Sequence, residues 1–264
     1  MICSIPLWLA AGGAAAQTWQ NELSEARPGA WPAITPTVLD FKVSWKGMLD
    51  AGSVRIEFAP RDAKKPGMLV VRSSSSSRGL ASALFPYRGH YWSEIHPATL
   101  RPRFFHGVET DRREKSTTTV RHHPGRLEYL EINEPLNAGK VTRNTGGFRF
   151  DPVYDLFSAM LHVRSQRLNP GDRITLVVHP FRTPYLLRVR VIAREQHMDR
   201  PAIRIGVSMQ KIDNKSLELR PYQKMRREAT MWLSDDADRI PLELRASVFI
   251  GDVRATLCGI SKIR

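Results

Sequence analysis

Alternation of apolar and polar residues at period two predicts a mainly β protein: a single curved antiparallel sheet or half-barrel with one packed α-helix. Near the C-terminus Leu242, Leu244, Ala246, Val248 and Ile250 share one face of a strand, with Glu243, Arg245 and Ser247 on the other. Met231-Trp232-Leu233 reads as the strand before it, joined through the acidic turn Ser234-Asp235-Asp236-Ala237-Asp238, and the second strand is read as running on past Gly251 to Leu257. Only residues 152–166 carry a helical stripe, and no repeat of fixed period is present.

Residues 1–16 bear no charged side chain, and an apolar run at 5–11 leads into Ala14-Ala15-Ala16. This reads as a signal peptide cleaved before Gln17, although a basic n-region is missing; a buried N-terminal helix or strand is the alternative. The run is too short for a bilayer, and no other reaches the roughly eighteen apolar residues that a transmembrane segment needs. Residues 17–37 read as an extended arm and 38–264 as one β-rich domain. Leu39, Phe41, Val43 and Trp45 alternate, Met48-Leu49-Asp50-Ala51-Gly52 offers turn chemistry, and Val54, Ile56 and Phe58 alternate after it.

A polar turn at 61–67 precedes a strand at 68–72, and Ser73 to Ser77 read as exposed strand or loop rather than linker. Strands are expected at 91–95, 103–109, 116–121 and 127–132, then a polar, glycine-bearing loop at 137–147. Asp151 is placed to cap a helix with Pro152 at its first position. Val153, Leu156, Phe157, Met160 and Leu161 follow on one face, and Asn169-Pro170-Gly171-Asp172 forms a turn. Strands return at 174–179, 185–193, 203–209 and 227–233.

Charge is the unusual part of the composition. Forty Lys and Arg stand against 26 Asp and Glu, a net +14 that points to anionic surroundings such as nucleic acid, acidic lipid headgroups or polyanionic glycans. The cations are scattered singly along strands, with no block beyond pairs such as Arg112-Arg113, so nucleic-acid binding is not expected. Cleavage before Gln17 would leave Cys258 as the sole cysteine, which reads as a small buried apolar residue.

No catalytic motif stands out: there is no G-x-S-x-G elbow and no ordered Ser/His/Asp set. His90 and His96 around Glu94, and the adjacent His122-His123, lack zinc-site spacing, so neither metal nor cofactor is expected. Asp235, Asp236 and Asp238 lack calcium-loop spacing and read as turn formers beside a packing Trp232, while Asp155 and Arg164 read as partners of the sheet. Arg188, Arg190, Arg204 and Arg245 each alternate with apolar residues. On neighbouring strands they would form an arginine field suited to phosphate or carboxylate. The alternative is a solvated face with acidic partners such as Glu243.

Three blocks together resemble an uncharacterised family of exported bacterial proteins, a domain of unknown function. The first is Phe41-Lys42-Val43-Ser44-Trp45-Lys46-Gly47 with Asp50-Ala51-Gly52. The second is Leu84-Phe85-Pro86-Tyr87 with Ser93-Glu94-Ile95-His96-Pro97-Ala98-Thr99-Leu100-Arg101-Pro102. The third joins Asp155-Leu156-Phe157-Ser158-Ala159-Met160 and Val163-Arg164-Ser165 to Pro170-Gly171-Asp172 and Trp232-Leu233-Ser234-Asp235-Asp236, completed by Arg239-Ile240-Pro241 and Ile250-Gly251-Asp252-Val253. The resemblance spans about residues 38–257. It implies an exported, mostly antiparallel β protein of the Gram-negative envelope, similar at a distance to half-barrels that carry lipids or lipoproteins across the periplasm. The many arginines depart from that pattern and speak against a purely apolar cargo.

The resulting expectation is a periplasmic, non-enzymatic envelope protein that binds an anionic amphiphile or glycan on its concave face. A hydrolase of envelope polymers and a scaffold or protein-interaction module are the alternatives. An apolar groove rimmed by arginine favours the carrier, an acidic pair in a closed cleft the enzyme, and a flat surface the scaffold.

Overall fold

The computed structural model describes residues 18–31, 34–58, 67–222, 227–248 and 251–263; the export segment expected at 1–16 and all but the last residue of the turn expected at 61–67 lie outside them. After a 3-10 turn at Thr18–Glu22 come β1 (Thr37–Trp45), β2 (Leu49–Phe58), β3 (Leu69–Ser77), helix α1 (Gly79–Leu84), β4 (Arg88–Ile95) and β5 (Pro102–Thr110). Next are β6 (Glu114–His123), β7 (Arg126–Pro135), β8 (Thr142–Phe148), helix α2 (Leu156–Ser165), β9 (Arg173–Val178), β10 (Tyr185–His197) and β11 (Arg200–Ile212). The last four strands are β12 (Leu219–Pro221), β13 (Ala229–Ser234), β14 (Pro241–Val248) and β15 (Gly251–Lys262).

All strands belong to one antiparallel sheet, ordered β8-β7-β6-β5-β4-β3-β2-β1-β15-β14-β13-β11-β10-β9 with β12 beside β11. Two consecutive meanders are joined where β1 meets β15, with Thr37 opposite Lys262 and Trp45 opposite Val253. This is the mainly β, single-sheet architecture with one packed helix that the alternation predicts.

The sheet rolls up around α2. Leu39, Phe41, Phe58, Val71 and Ile95 form one inner core with Leu242, Leu257 and Leu161 of α2. Ala159 and Val163 of α2 face a second core with Leu176, Val178, Val189, Val191, Ile203 and Ile205. The other face of the β9–β10 pair, through the partners Val177 and Leu186, packs against Phe105, Val120, Leu127 and Phe148 of β5 to β8. The β9 end of the sheet therefore lies inside the curl of the β8 end, covered on both faces. A strand buried on both faces has no need to alternate, and Ile174-Thr175-Leu176-Val177-Val178 is buried throughout.

The roll is closed by side chains, with no backbone pairing between β8 and β9 among the described residues. Arg182 donates to Glu131 Oε2 at 2.8 Å, and Asn214 Nδ2 to the Gly147 carbonyl at 3.3 Å. The free edge of β9 is masked by a short parallel bridge: Tyr154 N donates to the Val177 carbonyl at 2.9 Å and His179 N to the Tyr154 carbonyl at 2.7 Å.

That bridge corrects the expected start of the helix. Residues ahead of Asp155 are drawn into sheet pairing, so Pro152 is not helical and Asp155, not Asp151, is the N-cap. Asp155 Oδ1 accepts from Ser158 N at 2.7 Å while Ser158 Oγ accepts from Asp155 N at 2.9 Å, a complete capping box. Ser93 Oγ of β4 donates to the second carboxylate oxygen. Burial pushes the Asp155 carboxyl above the usual range, partly offset by these hydrogen bonds. Asp151 instead pairs with Arg101.

The other end of α2 is held by an exchange of arginines. Arg239, 1% exposed, donates to the carbonyls of Arg164 at 2.9 Å and Arg167 at 3.0 Å, and also to that of Gln166. Its guanidinium lies 3.6 Å from the Trp31 ring centroid. Arg164 in turn donates to the carbonyls of Asp238 at 2.8 Å and Ala237 at 3.2 Å in the β13–β14 turn. Orphan carbonyls at a buried helix end need such donors, and a cation there suits the helix dipole.

Several local expectations shift. The first hairpin turns at Lys46-Gly47, both at positive φ (52° and 75°), with Met48 N bonded to the Trp45 carbonyl at 3.1 Å; residues 49–52 belong to β2. Helix α1 was not anticipated, because its six residues bury nothing and leave no periodic signature. The loop expected at 137–147 is largely edge strand β8, and β12 escaped notice as a three-residue strand. The long C-terminal strand is a hairpin, β14 and β15, whose turn at 249–250 lies outside the described residues. Cys258 is exposed: β15 bulges there, with Asp40 opposite Gly259 and Phe41 opposite Leu257, and the extra residue turns outward.

Replacing Arg239 with Met should cost on the order of 2 kcal/mol in urea unfolding, because buried carbonyls lose their donors. Lys should restore only part, since an ammonium cannot reproduce the fork. Wild-type stability in R239M would overturn the account.

Acid should destabilise the fold before carboxylates titrate. Burial holds His162 and His179 near pKa 4, below the value of 6.5 for a free imidazole. Both are neutral when folded, so their contribution is complete above about pH 6.5 and fades as pH falls towards 4. Thermal melts across that window should show a falling Tm, with a shallower slope in H179Q; a flat Tm would contradict it.

Candidate functional site

The four arginines singled out from sequence each face an acidic partner. Arg188 donates to Glu22 Oε2 at 2.7 Å, tying β10 to the N-terminal arm, and Arg190 to Glu228 Oε1 at 3.0 Å. Arg245 grips Glu243 through two hydrogen bonds of 2.7 and 3.1 Å. Arg204 Nε lies 3.4 Å from Glu195 Oε2, an ion-pair contact without hydrogen-bond alignment. Arg204 and Arg245 converge on Trp232, whose Nε1 donates to Glu195 at 2.8 Å and whose ring stacks on His197 at 4.3 Å. The Arg245 guanidinium covers the same ring at 4.7 Å. Burial alone would raise the Glu243 carboxyl, but Arg245 and His197 hold it below the usual range. Acidic partners are the alternative to a free arginine field; Arg204 meets Glu195 across β10 and β11, whereas Arg245 and Glu243 share β14.

The acidic turn behaves as a turn. Asp236 Oδ1 accepts from Ser234 Oγ at 2.8 Å, Asp238 N at 3.0 Å and Arg239 N at 2.9 Å. Among the described residues no group of three or more His, Cys, Asp or Glu is arranged to hold a metal ion.

The feature that sequence reasoning missed lies at the open end of the roll, beneath α1. A cavity of about 290 Å³ is walled by Val43, Trp45, Val54, Phe85, Tyr87 and Val253, and its lining is almost wholly apolar. At Gly52, in its wall, β2 and β3 approach so closely that a Cβ would sit 2.3 Å from the Ser76 carbonyl oxygen. The roof, α1, is tethered by Arg78 N to the Ala51 carbonyl at 3.0 Å and by edge-on contact of Phe85 with Trp45, 6.0 Å between centroids.

Around the mouth Met48, Leu49, Leu80, Leu84 and Phe85 are each at least half exposed. Such a concentration of large apolar side chains is unusual on a surface exposed to water. Four cations adjoin this end. Lys46 sits in the hairpin turn, Arg78 precedes α1, Arg112 donates to the Ala83 carbonyl and the Arg254 guanidinium abuts Gly47. Asp50 and Asp252 share the rim.

From the Tyr87 wall, Tyr87 and Tyr91 both donate to Glu109 Oε1, at 2.5 and 3.0 Å. Burial raises both tyrosines well above their ordinary range, reinforced at Tyr87 by Glu109 and at Tyr91 by Tyr87 and then Glu109, so they stay neutral donors. The signal for this site was present in Leu84-Phe85-Pro86-Tyr87 and Met48-Leu49, but nothing in period two brings those segments together.

Among solved structures, a β-barrel-like protein of the domain of unknown function DUF1849 from Brucella abortus is 8% identical, with a TM-score of 0.60 covering 88% of this chain and 100% of that one. At that identity the likeness shows the fold alone. A protein described as exported, with a YmcC-like fold, from Bacteroides fragilis is 9% identical with a TM-score of 0.32, covering 89% and 100%. No curated protein matches the chain. Among the described residues no helix is long and apolar enough to cross a membrane. The family model for a protein of unknown function (DUF3108) matches residues 40–257, from within β1 to within β15 and across both walls of the cavity, and the chain belongs to that family.

Proposed function

We propose that this is an exported, non-enzymatic envelope protein that binds one anionic amphiphile at the open end of its rolled sheet. The observation that carries the reading is the apolar cavity beneath α1 with basic residues at its mouth. An acyl chain would fill the space between Val43, Val54, Phe85 and Val253, and an anionic headgroup would meet Lys46, Arg78, Arg112 or Arg254. At about 290 Å³ the cavity sits at the lower end of ligand-site volumes, roughly 300–1,000 Å³, which suits one chain rather than several.

The exposed rim supports the same reading. Met48, Leu49, Leu80 and Leu84 are exposed to water in the free protein, and in this reading they would touch a lipid surface while a chain passes beneath α1. Helix α1 has no buried residue and no side-chain cap, so it is held over the cavity by its tethers at Arg78, Phe85 and Ala83 rather than by a core of its own. Export rests on the uncharged apolar segment at residues 1–16.

Titration with a dansyl-labelled medium-chain fatty acid should give saturable binding with blue-shifted emission. Val253→Phe fills the cavity and should weaken binding about tenfold, the equivalent of ~1.4 kcal/mol. The R188Q/R190Q double variant should bind as the parent does, because those guanidinium groups are engaged by Glu22 and Glu228. Equal binding by V253F would reject the cavity, and weakened binding by R188Q/R190Q would move the site to β10.

A further inference from the structure

The opposite end of the roll holds a second cavity of different character. It lies beyond the Leu69 end of β3, nine strand residues from α1, or about 30 Å at ~3.3 Å per residue. Its volume is about 350 Å³, and its wall carries His96, Arg101, Arg103, His122, His123 and Arg126. Asp151 is the sole acid in that wall, and Arg101 already holds it.

The fold concentrates these cations for local reasons. A tight loop between β4 and β5, closed by Leu100 N to the His96 carbonyl at 2.8 Å and His96 N to the Arg101 carbonyl at 2.9 Å, brings His96 and Arg101 to the rim. The β6–β7 hairpin turns at Pro124-Gly125, with Gly125 at φ 77°, and sets His123 opposite Arg126. Glu128, outside the wall, takes one hydrogen bond from Arg126 at 3.2 Å and stands 3.9 Å from His123. Arg103 has no ion-pair partner among the described residues. His122 Nε2 is buried there without a hydrogen-bond partner. Burial first, then the charges of His179, Arg101 and His123, hold the His122 imidazole neutral, near pKa 3.

Converging cations with one engaged acid and a buried imidazole nitrogen lacking a partner describe an anion site. Guanidinium forks approaching from β5 and β7 suit an oxyanion with several oxygens, as phosphate has. We propose that this cavity binds a phosphate-class oxyanion, free or as a monoester, held by Arg103 and Arg126 with His122 Nε2–H donating from the wall. The proposal is independent of the acyl-chain reading, since the two cavities share no residue.

Calorimetry of the full mature chain should be run with inorganic phosphate and with glycerol phosphate. Vesicle flotation should compare phosphatidylcholine alone with phosphatidylcholine containing phosphatidic acid. Binding of the soluble anions identifies a soluble ligand; binding only to phosphatidic acid vesicles identifies a lipid headgroup, and both support the site. In either case R103Q/R126Q should weaken binding at least tenfold, with circular dichroism unchanged because both side chains are exposed. In the parent, the His122 ring resonance should move on addition of the anion that binds. Absence of binding in every arm, binding by R103Q/R126Q equal to the parent, or an unmoved His122 resonance would each overturn the proposal.

Discussion

A helix enclosed on two sides has to end inside protein, and its last carbonyls then need donors that water cannot supply. The exchange between Arg239 and Arg164 meets that constraint. Arg239 takes the carbonyls at the end of α2, and Arg164 takes carbonyls in the turn that carries Arg239. Helix and turn thus hold each other, with Trp31 of the N-terminal arm stacked on the same guanidinium. With α2 fixed at this end, and at the other by Asp155 against Ser93, the sheet has a rigid object to wrap. Its two ends then overlap, and the overlap leaves cavities at both mouths of the roll.

The charge balance looks different once the partners are visible. Arginine here is largely a structural residue. It caps α2, crosses from β2 to β1 at Arg55 with Asp40, pairs along β14 at Arg245 with Glu243, and covers aromatic faces at Trp92 and Phe104 through Arg72 and Arg121. A planar fork that binds carbonyls, carboxylates and rings serves all three roles, which a lysine would not. Exposed pairs of this kind add little stability; they fix which side chains lie against which.

The two mouths differ as two ends of one amphipathic ligand site would, but they are about 30 Å apart along β3 and share no wall. One is apolar within and basic at its lip; the other sets cationic side chains among apolar ones such as Met68, Phe150 and Val153 and contains an unpartnered imidazole nitrogen.

Alternation along Leu39, Phe41, Val43 and Trp45, and along the C-terminal strands, was enough to establish an antiparallel sheet, because side-chain direction at period two is local. Turn chemistry at Asp235 to Asp238 was legible for the same reason: an Asx side chain bonds its own backbone. The family was legible in the motif blocks from Phe41 onward. What escaped the sequence is whatever depends on which strand meets which. Asp151-Pro152 is a good helix start in isolation, but Tyr154 pairs with β9 and moves the start to Leu156, since a sheet edge competes for the same backbone groups. Arg188 and Arg190 face outward as their alternation demands, yet Glu22 and Glu228 reach them from 166 and 38 residues away. Both cavities are likewise made of segments brought together only by the roll, because the curvature that closes a sheet is a property of its register and packing, which no single strand carries.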